Sequence, residues 1–270
     1  MSKSKKKIPQ TQLMGHIIAG YPNMESSLNA ALGICYAGAN YLEVQFPFSD
    51  PNADGAVIEE ACDKSIAQGF KVSSGFALLS TLSSLLKQNK RNTRLIVMTY
   101  ANVMFHYGIE AFIKEAKKSG AWGIITPDLP IESDEELRKY GKKHHIAIIS
   151  LIAPKSSTKR IAKVAKISDE IVYVVARAGT TGEKTQLNRA LFDYVNLVRK
   201  KCKKPIALGF GINSYEQVKA LEGKVDIIVA GSYFVRFINE LSKSQELTPQ
   251  DYMQKLQSHA QNLMGWDKNI

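Results

Sequence analysis

Eight short apolar runs, evenly spaced and separated by amphipathic helical stretches, predict an α/β protein folded as a single (β/α)8 TIM barrel with extra helices. Two features support that reading over a pair of smaller domains. Most of the runs are continuously apolar, as expected of parallel strands covered on both faces. No Gly-, Ser- or Pro-rich linker divides the 270 residues. A doubly wound open sheet alternates strands and helices in the same way, but no G-x-G-x-x-G follows the first strand.

The strands are placed at 15–19, 41–46, 95–99, 123–127, 147–152, 171–176, 205–209 and 226–230. Helices fit between them at 26–36, 108–119, 134–143, 157–165, 188–200 and 215–221, where apolar residues recur at helical spacing. The long interval between the second and third strands has room for a further helix at 57–68. Ser214, with Gln217 three residues on, has the form of a capping box. Thr248-Pro249 supplies a cap and a first-turn proline for a closing helix at 248–264. Residues 1–10 read as a basic, solvated tail.

Composition narrows the function classes. Apolar content of 44% and charged content of 23% suit a globular chain with a sizeable core. No window reaches the roughly 18 consecutive apolar residues of a membrane span, and the Lys-rich start precedes no apolar segment of secretory type. Cys35, Cys62 and Cys202 show neither metal-type spacing nor an even count, which suits a reducing cytoplasm. His144 and His145 are neighbours that would diverge, so metal-free chemistry is expected. The net charge of +11 is spread along the chain and gathers near predicted helix C-termini, where cations complement the macrodipole. Without a recognition motif, this charge points to an anionic substrate or acidic partner rather than to nucleic acid.

Two constellations carry chemistry. The first is Tyr41-Leu42-Glu43-Val44-Gln45-Phe46-Pro47-Phe48-Ser49-Asp50-Pro51-Asn52-Ala53-Asp54-Gly55. Glu43 falls inside an apolar strand, where burying a carboxylate costs several kcal/mol unless a partner or a task accounts for it. A carboxylate at a strand end above an acidic loop is where a barrel places a proton-transfer group. The second is a set of glycine-bearing turns after the last three strands: Arg177-Ala178-Gly179-Thr180-Thr181-Gly182, Gly209-Phe210-Gly211-Ile212 and Ala230-Gly231-Ser232. Small residues where helices begin let backbone N–H groups approach a phosphate, and Ser232 adds a hydroxyl.

These motifs, and the chain from Ile17 to Val235, resemble the tryptophan synthase alpha-subunit family. The resemblance is carried by Leu42-Glu43-x-x-x-Pro47-Phe48-Ser49-Asp50-Pro51-x-Ala53-Asp54-Gly55, by Arg177-Ala178-Gly179-x-Thr181-Gly182 and by Gly209-Phe210-Gly211-Ile212. It implies cleavage of indole-3-glycerol phosphate to indole and glyceraldehyde 3-phosphate. Glu43 is then the catalytic acid/base, Asp54 the second carboxylate, and Tyr173 a neighbour of Glu43. Gly182, Phe210, Gly211, Gly231 and Ser232 would hold the phosphate. His16, Met98, Tyr100, Ile125, Pro127, Leu151 and Thr181 would line the indole pocket. A lid over 180–188, with Thr181 reaching Asp54, and a β-subunit partner meeting the loop around Asn52 in an α2β2 heterotetramer are implied as well. The chemistry suits the residue types without a cofactor. One carboxyl moves protons if burial raises its pKa, and a fixed anion accepts the indole N–H.

The sequence departs from the family at three places: Gln45 stands where Gly is common, Ala56 where Pro is common, and His16 where an aromatic is usual. Other readings remain at this point. They are a different phosphosugar barrel, a stand-alone lyase, or a weakly catalytic allosteric partner of a β subunit.

Overall fold

The computed structural model describes residues 11–176, 187–209, 211–243 and 247–266. Its eight parallel strands close into a barrel in chain order, the (β/α)8 architecture expected from the sequence. The strands are β1 (Gln12–Ile18), β2 (Tyr41–Gln45), β3 (Arg94–Met98), β4 (Gly123–Ile125), β5 (Ala147–Ile152), β6 (Val172–Val175), β7 (Ile206–Gly209) and β8 (Ile227–Ala230). Around them run α1 (Met24–Tyr36), α2 (Ala56–Ala67), α3 (Val72–Gln88), α4 (Ala101–Tyr107), α5 (Ile109–Lys118) and α6 (Leu137–His144). The shell is completed by α7 (Thr158–Ile167), α8 (Arg189–Lys201), α9 (Tyr215–Leu221), α10 (Ser232–Ser242) and α11 (Pro249–Met264).

Strand alternation sorts side chains into two layers. Leu42, Val44, Val97, Val172, Val174, Leu208 and Ile228 point outward into the core shared with the helices. Met14, Tyr41, Ile96, Met98, Ile125, Ile149, Ala207, Ile227 and Val229 fill the barrel interior. The interior is therefore packed, and space for a ligand opens only above it. His16 follows Met14, and Glu43 and Gln45 follow Tyr41, on the same inward faces.

Several elements differ from expectation for local reasons. β1 begins at Gln12 because Gln12 to Gly15 pair with Ile227 to Ala230 of β8, a partner from the far end of the chain. β4 stops at Ile125, whose carbonyl accepts the Thr99 amide at 3.1 Å, and Pro127 beyond it has no N–H to extend the ladder. α6 starts at Leu137 rather than at residue 134, because Glu135 and Glu136 adopt left-handed backbone, with φ of 46° and 63°. The interval after β2 holds two helices, α2 and α3, and α4 and α10 are additional to the helices placed by sequence.

The caps follow side-chain chemistry. Ser214 Oγ accepts from the Gln217 amide, and Gln217 Oε1 accepts from the Asn213 amide at 2.8 Å. Thr248 Oγ1 accepts from the Asp251 amide, with Pro249 in the first turn of α11. Cys35, Cys62 and Cys202 are free and buried. Among the described residues no helix is long and apolar enough to cross a membrane, and no three His, Cys, Asp or Glu side chains gather as metal ligands.

Candidate active site

At the C-terminal mouth of the barrel lies a cavity of about 570 Å³, the location at which barrel loops ordinarily build a site. His16, Glu43, Asp54, Met98, Ile125, Pro127, Leu151, Tyr173, Gly211, Gly231 and Ser232 all line it. Residues far apart in sequence are thus brought together by strand ends. Arg177, Thr181, Gly182 and Phe210, together with most of the 180–188 lid, lie outside the described residues. Of that lid, Asn188 serves as the N-cap of α8, accepting from the Leu191 amide at 3.0 Å.

Register places the first pair. His16 and Glu43 are direct partners in the β1–β2 ladder, so their side chains leave adjacent strands at one level. His16 Nδ1 lies 3.5 Å from Glu43 Oε1, with the residues 3% and 4% exposed. Glu43 Oε2 and His16 Nε2 are buried without hydrogen-bond partners. A buried carboxylate with an open lone pair, beside a cavity, is available to a substrate proton. Burial is the largest influence on His16 and disfavours its charged ring. It is outweighed by the Glu43 charge and hydrogen bond, the Asp54 charge and the Gln45 amide, so the His16 pKa is raised.

The second carboxylate is held from two sides. Asp54 Oδ2 accepts from Gln45 Nε2 at 2.8 Å and from Tyr100 Oη at 2.9 Å. Burial raises the Asp54 pKa, while those two donors and the His16 charge pull against it and the Glu43 charge adds to it. Tyr100 also fixes the loop that carries Asp54, because its oxygen accepts the Ala53 amide at 3.1 Å. Phe48 stacks on the Tyr100 ring with centroids 5.3 Å apart. Tyr100, expected on an indole pocket wall, instead stands behind Asp54 and is not among the residues lining the cavity.

Tyr173 enters from β6. Gly209 on the neighbouring strand makes room for it, since a Cβ there would lie 2.9 Å from the phenol oxygen. Burial first, then the charges of Glu43 and Asp54, push the Tyr173 pKa well above its usual value, so the group stays an O–H donor. Gly231 and Ser232, at the N-terminus of α10, line the cavity, and a helix N-terminus favours an anion. Gly211 takes φ of 74°, a left-handed conformation suited to glycine.

The structure gives Gln45, noted in the sequence only as a departure, a place at the site and adds residues that the sequence did not assign to it. Gln45 is fully buried and faces the same side as Glu43, a placement its i+2 spacing could have given. Ile58 of α2 and Thr126 and Asp128 after β4 also line the cavity. Asp128 accepts the Ala101 amide at the start of α4, at 3.0 and 3.2 Å. Arg138 of α6 reaches the wall as well, bonded to Asp134 at 2.6 Å and Ser150 at 2.7 Å. No sequence pattern announced it.

Comparison with known proteins agrees over nearly the full length. The family profile described as "Tryptophan synthase alpha chain" matches residues 1–264. The tryptophan synthase alpha chain of Helicobacter hepaticus is 77% identical over 262 residues, covering 97% of this chain and 98% of that one. The structure superimposes on one from a study of mutual activation of the tryptophan synthase α2β2 complex of Pyrococcus furiosus, with a TM-score of 0.83. Identity there is 28%, over 94% of this chain and 98% of that chain. A tryptophan synthase structure from Mycobacterium tuberculosis matches with a TM-score of 0.82 and 26% identity, over 95% and 92%.

Proposed function

The chain belongs to the tryptophan synthase alpha chain family, and from that premise we propose which of its residues carry the reaction. As a member it is a lyase of tryptophan biosynthesis, cleaving indole-3-glycerol phosphate to indole and glyceraldehyde 3-phosphate. It pairs with a β subunit, as in the α2β2 assemblies of its structural relatives. We place it in the cytoplasm, where such a biosynthetic enzyme meets its substrate.

The observation that carries the residue assignment is the position of Glu43, buried on the cavity wall with Oε2 unpartnered and Asp54 facing the same space. In the proposed cycle, Glu43 gives a proton to C3 of the indole ring. It then takes the proton of the 3′-hydroxyl as the bond from C3 to the glycerol chain breaks and the aldehyde forms. The proton count closes on one carboxyl. Asp54 accepts the indole N–H and offsets the positive charge that develops on the ring. Its Oδ2 accepts from Gln45 and Tyr100, and we assign the indole N–H to Oδ1. Tyr173 offers its hydroxyl from the opposite wall.

Gly211, Gly231 and Ser232 would hold the phosphate with backbone amides and one hydroxyl. Gly182 and Phe210 are assigned to the same group, and Thr181 to the indole side, by resemblance alone. Met98, Ile125, Pro127 and Leu151 supply the apolar wall for the indole, with the His16 ring beside Glu43. Acid–base cleavage of this type requires no cofactor.

Indole release from indole-3-glycerol phosphate, measured on the purified chain with and without a β subunit, tests the reading. Slow release that the β subunit stimulates strongly is the expected result. Full activity alone would mark a stand-alone lyase. An inactive chain that still activates a β subunit would overturn the catalytic assignment.

A further inference from the structure

We propose that His16 is a positioning residue that shares one proton with Glu43, so that the acid–base step is run by the pair rather than by a lone carboxyl. The inference rests on the assignment of Glu43 above and extends it to a residue that packing alone does not account for.

The geometry carries it. The two residues are ladder partners, their facing atoms are 3.5 Å apart, and both are almost fully buried. Water therefore screens their interaction little. The ring keeps Nε2 free of hydrogen bonds, and Glu43 keeps Oε2 free. A histidine that merely filled space would be satisfied by a backbone or hydroxyl partner on its free side.

The surroundings favour one shared proton. On β2, next to the ring, stand Glu43 and the neutral Gln45 amide, with Asp54 in the loop beyond. On the other flank, the end of β8 presents Gly231, where a Cβ would be 3.9 Å from the imidazole. Ser232, Gly231 and Val229 on that side carry no ionisable group. From α2, Ile58 reaches the cavity wall, and the Cys62 thiol is pushed up to about 12, so it stays neutral. The charged side chains of α2, Glu59, Glu60, Asp63 and Lys64, are exposed on its outer face. Tyr173, on the opposite wall, stays protonated. Among the described residues, two carboxylates thus face His16, and no cationic side chain is among the groups that set its charge.

The step balances. At rest the proton sits on Nδ1, giving an imidazolium beside a carboxylate. On substrate binding the N–H bond breaks and an O–H bond forms on Glu43 Oε1, leaving both groups neutral. Glu43 then delivers that proton to C3, recovers one from the 3′-hydroxyl and returns it to Nδ1. Raising the pH through the His16 pKa removes the shared proton, so turnover falls on the alkaline side.

The test is the pH dependence of kcat and KM for indole release by the αβ complex, with the wild-type chain, His16→Phe and His16→Asn. Both variants are expected to lose about tenfold in kcat near neutrality, as befits partial loss of acid–base assistance. KM should change less than about threefold. Their alkaline limb should move by about one pH unit or more. A uniform drop in kcat with the limb unmoved would overturn the proposal. Imidazole NMR gives a second readout that does not depend on those variants folding. The His16 resonance should titrate above the ordinary histidine value, and Glu43→Gln should lower it by about one unit or more. An unchanged titration would also overturn the proposal. If Glu43→Gln retained activity, the Glu43 assignment itself would fall. If it were inactive while the His16 variants kept the wild-type limb, only the shared proton would be lost.

Discussion

The Gln45 amide nitrogen lies 2.8 Å from Oδ2 of Asp54, the oxygen that also accepts the Tyr100 hydroxyl. Two donors on one oxygen orient a carboxylate that burial would otherwise drive towards its neutral form. The Gln45 side chain is thus built into the support of Asp54.

Gln45→Ala should therefore raise the Asp54 pKa further. Because the role proposed for Asp54 is that of an anion, the acidic limb of kcat/KM should shift to higher pH. A hydrogen bond to a charged group is worth about 1.5–3 kcal/mol, or roughly 10- to 100-fold in kcat/KM. pH–rate profiles read both effects. An unshifted limb would show that Tyr100 suffices.

Tyr100→Phe removes the donor to Asp54 and the acceptor of the Ala53 amide together. A larger loss is expected than for either bond singly, with faster amide exchange at Ala53 and lower kcat. The Phe48 stack survives the substitution, so the melting temperature should fall by only a few degrees. Hydrogen exchange and calorimetry separate the two effects.

Gly231→Ala tests the proposed phosphate cradle with little disturbance to the fold. Its φ is −88°, and an added Cβ would meet Ile58 at 3.7 Å, an ordinary contact. Stability should change by less than about 0.5 kcal/mol. The methyl group occupies space at the mouth of the cavity, so KM should rise by about tenfold, equivalent to about 1.4 kcal/mol of binding. A rise in KM for the phosphorylated substrate alone, measured against an unphosphorylated analogue, assigns the effect to the phosphate.

His259 sets an acid limit on stability. Its ring is stacked between Tyr233, at 4.1 Å, and Phe237, at 3.8 Å, and burial pushes its pKa down to about 4. The unfolded chain binds this proton near pH 6.5, so between pH 6.5 and about 4 unfolding takes up a proton and stability falls as the pH drops. The contribution is complete above pH 6.5. His259→Phe should flatten the fall in melting temperature between pH 7 and 4.5. Parallel curves for the two proteins would contradict this.

The strands were legible because parallel strands covered on both faces leave continuous apolar runs. The start of β1 was not, because it is defined by pairing with β8 at the other end of the chain. α3 was not placed from the sequence, which marked only one further helix, 57–68, in that interval; Ser73, Ser74 and Gly75 stand in the first turn of α3. Gly75 is required by packing, since a Cβ there would lie 2.6 Å from the Phe46 ring.

The site was legible in the same uneven way. Glu43 was marked by a charge inside an apolar strand, and Gly231 and Ser232 by the start of a helix after a strand. The tasks of Gln45 and Tyr100 depend on the loop after β2 folding back over the end of β3, a tertiary event with no local signature. His16 could be paired with Glu43 only once the register of β1 against β2 was known.

The ladder between Gln12 and Ile227 has a temporal side as well. During synthesis, which proceeds at about 5–20 residues per second, the first strand leaves the ribosome long before the last exists. Until then it borders an unfinished sheet whose open edges can recruit a neighbouring nascent chain. Ring closure abolishes those edges in a single late event. Damage to β8 should therefore show first as misassembly on polysomes, before any loss of indole release in the mature enzyme.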